Sequence, residues 1–273
     1  MARYPLILLI SLAACFGAQT LALKLVGGKT RKSESNYFSS IARLQTETKD
    51  RPRVLFLGSS LTGRLPERPQ AGNLGCDGAS AVITLRAIDE GLLPSAEVIF
   101  VETNTLSYEL ESLGRETAAA LRSDWFKAGM KVPNLGATAR PTAFAYSWLE
   151  SRRNRADAQE AGQLSPFAAS AGFSILDAVP DLQDAREEAL VDEISGILSR
   201  LKYHGADVRL VLLPAGGKET ELDLRIARAV AAKTRLPWWD MTAGIPAEAI
   251  GYTDGRHMDA AAAAAVVDAL LGK

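Results

Sequence analysis

The chain has 273 residues, of which 47% are hydrophobic and 23% charged, and this composition is sufficient for a full globular core. The formal net charge of −1 argues against a nucleic-acid binder, because neutralising phosphates requires a clustered excess of Lys and Arg. The two cysteines and two histidines do not form a paired ligand set, so we expect no metal and no cofactor.

The N-terminal segment is apolar. Leu6 to Leu23 carry no charge, and the segment is long enough to cross a bilayer at about 1.5 Å per residue. Three interpretations fit: an uncleaved signal anchor, a signal peptide cleaved after Thr20-Leu21-Ala22, and a lipoprotein signal ending at Leu12-Ala13-Ala14-Cys15. Residues 1–27 are therefore predicted to be a signal peptide or a signal anchor, which would hold the protein on the membrane if it stays uncleaved.

The charges that flank this segment bear on localisation. Most N-terminal segments of this kind lead a domain outward, so we expect an exported protein in the periplasm or on the extracytoplasmic face of the membrane. The apolar run is followed by Lys24, Lys29, Arg31 and Lys32. The positive-inside rule taken alone would therefore place the body of the protein in the cytoplasm, so the cytoplasmic face stays an alternative. The next residues, 28–52, are polar and charged, and they are predicted to be a tether with a short helical patch around Phe38 to Leu44.

From Arg53 onward, short apolar runs alternate with amphipathic stretches, which predicts a parallel sheet covered on both faces by helices within one domain, residues 53–273. Residues 106–181 form a mostly helical excursion that is either extra packing on the sheet or a cap that selects the substrate. The predicted strands are Val54–Leu57, Ala71–Leu74, Val98–Val101, Val208–Leu213 and Trp238–Asp240. The predicted helices are Ser80–Glu90, Leu182–Tyr203, Glu219–Thr234 and Met258–Leu271.

Two short motifs carry side chains suited to nucleophilic catalysis. Ser60 follows the apolar run Val54–Gly58 and is expected at the carboxyl edge of the sheet, where ligands collect. In the turn Asp254-Gly255-Arg256-His257, a carboxylate three residues before an imidazole can accept its Nδ1 proton and leave Nε2 facing a serine. Each motif alone is equally typical of a helix cap or turn. The other histidine, His204, is expected to end a helix.

Four short blocks follow one another along the chain: Leu57-Gly58-Ser59-Ser60-Leu61-Thr62, Asn73-Leu74-Gly75-Cys76-Asp77-Gly78, Val101-Glu102-Thr103-Asn104 and Asp254-Gly255-Arg256-His257. This ordered set resembles the four blocks of SGNH, or GDSL-type, serine hydrolases, and the resemblance covers about residues 53–273.

The resemblance implies a flavodoxin-like three-layer α/β/α sandwich and a catalytic triad of Ser60, His257 and Asp254. It also implies an oxyanion hole formed by the backbone amides of Ser60 and Gly78 and by the side chain of Asn104. The sequence departs from the family pattern in two blocks. The usual Gly-Asp-Ser reads Gly58-Ser59-Ser60, and the usual Gly-x-Asn-Asp reads Glu102-Thr103-Asn104-Thr105.

The expected activity is that of a serine esterase acting on O-acetyl or other short acyl esters of carbohydrate or a cell-envelope polymer. A membrane-anchored O-acyltransferase with the same triad is an alternative, since membrane-anchored relatives that transfer acyl groups to envelope polymers also carry Gly-Ser-Ser. A non-catalytic protein that binds polysaccharide or serves as a scaffold is a second alternative. The expected partner is an acyl-ester or polysaccharide substrate.

Overall fold

The computed structural model describes residues 3–25, 33, 35–49, 51–146, 149, 173–217, 219–243 and 250–272. Its six strands form one sheet in the order β2-β1-β3-β5-β6-β4. The strands are β1 Val54–Gly58, β2 Ala71–Gly75, β3 Val98–Glu102, β4 Phe173–Ser174, β5 Asp207–Leu212 and β6 Trp238–Asp240.

All strand pairs are parallel except that of β4 with β6. The prediction of an α/β fold with a mainly parallel sheet is therefore confirmed, and each of the five predicted strands is present. The short antiparallel strand β4 was not predicted, because two exposed residues carry too little pattern to indicate a strand.

The register of the sheet brings the ends of its central strands together. Gly58 of β1 is paired with Gly75 of β2, and Leu57 of β1 is paired with Val101 of β3. Because parallel strands end at the same edge, the residues that follow β1, β2 and β3 lie side by side. β1 pairs with β2 on one side and with β3 on the other, which is the kind of position where open α/β sheets bind ligands.

Side chains of the central strands alternate between two hydrophobic clusters. Leu55 and Leu57 of β1 belong to the larger cluster, whereas Phe56 between them belongs to the smaller one. The ring of Phe56 stacks on that of Phe100 from β3, with 5.2 Å between the ring centroids. The period of two residues therefore buries side chains on both sides of the sheet, which is why the strands read as continuous apolar runs.

The helices agree with the sequence pattern, and the helical patch predicted around Phe38 to Leu44 lies within α2. Those predicted in the body are present with slightly shorter bounds. The helices are α1 Arg3–Leu25, α2 Asn36–Glu47, α3 Ser60–Gly63, α4 Ala81–Asp89, α5 Arg115–Arg122, α6 Asp124–Lys131, α7 Ala185–Tyr203, α8 Glu221–Thr234 and α9 Ala260–Leu270.

Helix α2 is part of the folded body rather than of a tether. Ile41 and Leu44 are fully buried in the larger hydrophobic cluster. Burial of such side chains contributes about 1.5–3 kcal/mol each. The prediction of a polar tether over residues 28–52 is therefore wrong for α2, because the apolar face of its short amphipathic pattern packs against the core.

Helix α1 is the N-terminal apolar segment. Within the described residues, Tyr4–Leu25 is the helix long and apolar enough to cross a membrane, and a signal sequence has the same properties. Its polar residue Gln19 contacts the body, since the side-chain amide of Asn134 donates to Gln19 Oε1 at 3.2 Å. The N-terminal hydrophobic segment of the prediction is confirmed as a helix.

In the predicted excursion over residues 106–181, the described part up to residue 146 is mostly helical, whereas residues 175–181, after strand β4, have no regular secondary structure. Besides α5 and α6 it contains three short 3-10 helices. These are Leu106–Glu111, Pro133–Leu135 and Ala137–Ala139. The predicted cap also includes residues 147–148 and 150–172, which lie outside the described residues.

Candidate active site

The predicted triad residues lie in hydrogen-bond contact. Ser60, the first residue of α3, has its Oγ 2.8 Å from Nε2 of His257. Nδ1 of the same imidazole is 2.7 Å from Oδ2 of Asp254. The two contacts use opposite nitrogens of one ring, so the imidazole can accept the serine proton at Nε2 while its Nδ1–H donates to the carboxylate. The structure therefore brings together residues that are 197 positions apart in sequence.

The turn that carries His257 is rigidly connected to the sheet. Its backbone approaches the loop after β5, where the N–H of Gly216 donates to the carbonyl of Arg256 at 2.9 Å. A Cβ atom on Gly216 would lie 1.8 Å from the carbonyl oxygen of Gly255, so no other residue fits without displacing the turn. At the base of the turn, the N–H of Thr253 donates to the carbonyl of His257 at 2.9 Å. These contacts fix the height of the imidazole above the strand ends.

Asp254 is held by donors of its own turn. Its Oδ1 accepts from the backbone N–H groups of His257 at 2.8 Å and Arg256 at 3.1 Å. The hydrogen bond from the His257 backbone, the contact with the His257 ring and the bond from the Arg256 backbone hold the pKa of this carboxyl well below its usual range. Asp254 is therefore ionised wherever His257 can act as a base, although its side chain is 47% exposed.

The predicted oxyanion donors follow three neighbouring strands. Ser60 comes after β1, Gly78 after β2 and Asn104 after β3. The backbone N–H of Ser60 is at the first position of α3, where a helix has no internal acceptor. Gly78 is exposed and has a φ of +74°, and among the described residues neither N–H has a protein acceptor. Both amides are thus free to bind a substrate oxygen.

Asn104 is engaged differently. Its amide nitrogen donates to the carbonyl of Leu213 at 2.9 Å and to Oε1 of Glu219 at 2.8 Å. Its oxygen accepts from the N–H of Leu213 at 2.9 Å, so the two bonds with Leu213 fix the plane of the amide. A substrate oxygen can accept a hydrogen bond from the Asn104 amide by replacing Glu219. The sequence alone does not indicate a role for Glu219, because its contact with Asn104 joins residues 115 positions apart.

Helix α2 supports the loop that carries Gly78. The hydroxyl of Ser40 accepts a hydrogen bond from the N–H of Asp77 at 2.8 Å. The buried guanidinium of Arg43 donates to the carbonyl of Gly75 and lies 3.4 Å from the Asp77 carboxylate. These contacts hold the loop between β2 and Gly78. The sequence alone does not indicate roles for Ser40 and Arg43, since a buried arginine cannot be told from an exposed one in a single sequence.

A cleft of about 310 Å³ opens beside the triad. It runs from Asn104 to Arg256, the residue that precedes His257 in the chain. The guanidinium of Arg256 donates to the hydroxyl of Tyr108 at 2.9 Å and so bridges the two walls. Glu111, Glu219 and Leu222 also line the cleft, so its wall is mixed polar and apolar, and its volume is large enough for a small acyl group or part of a sugar ring.

The remaining nucleophile and base candidates lie elsewhere or are inert. His204 ends α7 and precedes β5, so it lies at the opposite edge of the sheet from Ser60, as a helix-ending residue followed by Gly205 with a φ of +94°. Burial raises the pKa of the Cys76 thiol to about 12, so a thiolate nucleophile is not available there. Among the described residues there is no group of three or more His, Cys, Asp or Glu side chains that could hold a metal ion.

Comparisons with protein-family models, with curated proteins and with solved structures find no match for this chain.

Proposed function

We propose that the protein is a serine esterase of the SGNH type that removes small acyl groups, such as acetyl, from carbohydrate or a cell-envelope polymer. The observation that carries the proposal is the pair of contacts made by His257, 2.8 Å from Ser60 Oγ and 2.7 Å from Asp254 Oδ2. A chance turn would not orient both ring nitrogens in this way, and the arrangement is the one that activates a serine.

In the proposed reaction, Ser60 Oγ attacks the ester carbonyl while its proton moves to Nε2 of His257. Asp254 holds the ring and stabilises the imidazolium that forms. The imidazolium then gives its proton to the leaving alcohol, which departs as the carbonyl reforms and leaves an acyl group on Ser60. A water molecule, deprotonated by His257, attacks this acyl-enzyme, and the imidazolium returns the proton to Ser60 Oγ as the acid leaves.

The tetrahedral oxyanion would accept hydrogen bonds from the backbone amides of Ser60 and Gly78, and from Asn104 once the substrate replaces Glu219. Loss of one such donor typically lowers the rate by about 10²- to 10³-fold. Support for this assignment comes from the strand order, which sets the three donors after neighbouring strands.

The proposal includes a finer description of the fold and the location. A flavodoxin-like three-layer sandwich is supported by the two hydrophobic clusters, because alternate side chains of the same strands belong to different clusters. Export to the periplasm or the outer face of the membrane is supported by the N-terminal apolar helix. If that helix stays uncleaved, it holds the enzyme at the membrane.

Activity-based labelling tests the proposal. Full-length protein in detergent should react with a fluorophosphonate probe, and Ser60→Ala should abolish the reaction, whereas His204→Ala should not alter it. Labelling that persists in Ser60→Ala would contradict the assignment of the nucleophile. A wild-type protein that neither reacts with the probe nor hydrolyses p-nitrophenyl acetate would contradict the proposed function itself.

The acyltransferase alternative shares every step up to the acyl-enzyme, so the second half-reaction separates the two. With p-nitrophenyl acetate as donor, an esterase releases acetate at the same rate as nitrophenol whether or not an oligosaccharide is added. A transferase moves the acetyl group to the sugar hydroxyl and releases less free acetate when the acceptor is present. Mass spectrometry of the oligosaccharide distinguishes these outcomes.

A further inference from the structure

Glu102, the last residue of β3, carries a carboxylate that is buried beneath the turn containing Ser60. The residue is 2% exposed. Charged side chains are almost never buried to this degree unless other groups satisfy them. The mechanism proposed above does not use Glu102, so its burial next to the nucleophile needs an explanation.

Five hydrogen bonds converge on this carboxylate. Oε2 accepts from the backbone N–H of Ser59 at 2.9 Å, from the N–H of Thr62 at 3.0 Å and from the Thr62 hydroxyl at 2.6 Å. Oε1 is bonded to the hydroxyl of Ser59 at 2.6 Å and to that of Thr105 at 3.2 Å. All but one of these bonds come from Ser59 and Thr62, which flank Ser60 in the sequence.

The bonds divide the amides of the turn in a specific way. Glu102 takes the N–H groups of Ser59 and Thr62, and the hydroxyl oxygen of Ser59 takes the N–H of Leu61 at 3.1 Å. Of these four consecutive amides, the one without an acceptor among the described residues is that of Ser60. The network thus provides acceptors for the N–H groups of Ser59, Leu61 and Thr62. It leaves the N–H of Ser60, which would bind the oxyanion, without one among the described residues.

The residues of this network are also those at which the chain departs from the family pattern. Ser59 stands where the pattern has Asp, Glu102 where it has Gly, and Thr105 where it has Asp. In the structure the three side chains contact one another through Glu102. Gly58 provides the space, since a Cβ atom there would lie 2.3 Å from Glu102 Oε2. The departures therefore form one interacting unit.

We propose that Glu102 is a positioning residue that holds the Ser59–Thr62 turn so that the Ser60 hydroxyl faces His257 and the Ser60 amide faces the substrate. This inference rests on the proposed serine chemistry and adds a role for a residue outside the triad. The positions of the Ser60 hydroxyl and amide matter, because a misplaced nucleophile lowers turnover without weakening substrate binding.

Isosteric variants of the network provide the main test. Thr62→Val removes one hydroxyl bond to Glu102 and keeps the shape of the side chain, and Thr84→Val makes the same change at a fully buried threonine of α4. In full-length protein, Thr62→Val should lower kcat for p-nitrophenyl acetate about tenfold with KM within about twofold, since a bond to a charged group is lost. Thr84→Val should keep the wild-type kcat.

Variants of Glu102 itself test whether its hydrogen bonds are needed or whether a side chain of similar volume is enough. Glu102→Gln keeps an oxygen for the two N–H groups and an amide that can donate to the hydroxyls of Ser59 and Thr105, so kcat should fall less than about tenfold. Glu102→Leu fills the space but leaves those N–H groups unsatisfied, and we expect a loss of at least about 100-fold in kcat or a failure to fold. Because Glu102→Leu can fail to fold, the comparison of Thr62→Val with Thr84→Val at matched thermal stability is decisive.

The inference is overturned if Thr62→Val retains the wild-type kcat, or if Glu102→Gln folds but is as inactive as Ser60→Ala. If Ser60→Ala abolishes probe labelling while the Thr62 and Glu102 variants label at the wild-type rate, the proposed function stands and this inference fails. If Ser60→Ala still labels, the proposed function fails and the inference fails with it.

Discussion

Gly58→Ala is a small change that tests how tightly the Ser59–Thr62 turn is packed. Gly58 ends β1, and its φ is not in the left-handed region, so alanine is acceptable to the backbone. The obstacle is space. A Cβ atom would lie 2.0 Å from Oγ1 of Thr62 and 2.7 Å from Cβ of Glu102. These distances are far below van der Waals contact, and both neighbours are buried.

The expected cost has two parts. Forcing a methyl group into a packed interior typically costs about 1–3 kcal/mol. Thr62 must also move away from Glu102, and losing a hydrogen bond to a charged group costs about 1.5–3 kcal/mol. The sum is about 4 kcal/mol of the free energy of unfolding. For a domain of this size that corresponds to a fall of about 8–16 °C in the melting temperature.

Thermal unfolding followed by circular dichroism measures this cost, and Gly196→Ala is a matched control. Gly196 lies inside α7, where the nearest atom to a new Cβ is the end of the flexible Arg200 side chain at 3.3 Å. There alanine should stabilise the helix by about 0.5–1 kcal/mol. A Gly58→Ala protein that melts within about 3 °C of the wild type would refute the packing described around Glu102.

Three further predictions concern the site. Asp254→Asn should lower kcat about 10³- to 10⁴-fold, because an amide facing Nδ1 favours the wrong imidazole tautomer, and an esterase assay with His204→Ala as control measures this. The folded-state pKa of Asp254 lies below its unfolded value. The stability that its carboxylate contributes is therefore present above about pH 4 and is lost as the pH falls through the folded pKa. The difference in melting temperature between wild type and Asp254→Asn should shrink below about pH 4. Arg43→Met should destabilise the protein by about 2–3 kcal/mol and reduce kcat by loosening the Gly78 loop, whereas Arg53→Met, which breaks an exposed ion pair, should leave the denaturation midpoint nearly unchanged.

The central strands β1 and β3 could be predicted because their side chains are buried on both sides of the sheet and their sequences read as runs of apolar residues. In Val54–Gly58 and Val98–Glu102, only the first residue is partly exposed. The order of the four blocks then indicated which loops would meet at one edge. The contact between Ser60 and His257 was accessible for a simpler reason, since a chain with two histidines offers few candidates for a base.

Other parts of the site could not be predicted, for physical reasons. The helical patch in α2 was predicted, but the burial of its apolar residues depends on a core that forms only in the folded protein. Glu102 follows four apolar strand residues, and nothing local indicates that donors from residues 40 to 43 positions earlier would satisfy its charge. The bond from Asn104 to Glu219 likewise depends on the path of a loop, which propensity and periodicity do not determine.

The connection between Ser60 and His257 also has a consequence for the biosynthesis of the protein. The chain emerges from the ribosome N-terminus first, so the nucleophile and its Glu102 support are made long before the imidazole, which lies 197 residues downstream. The hydroxyl of Ser60 is an ordinary alcohol until the Asp254–His257 turn docks on the loop at Gly216. In the proposed mechanism, a nascent chain that stops before residue 254 lacks the base that activates Ser60, so the appearance of activity requires that this turn has been made and has docked.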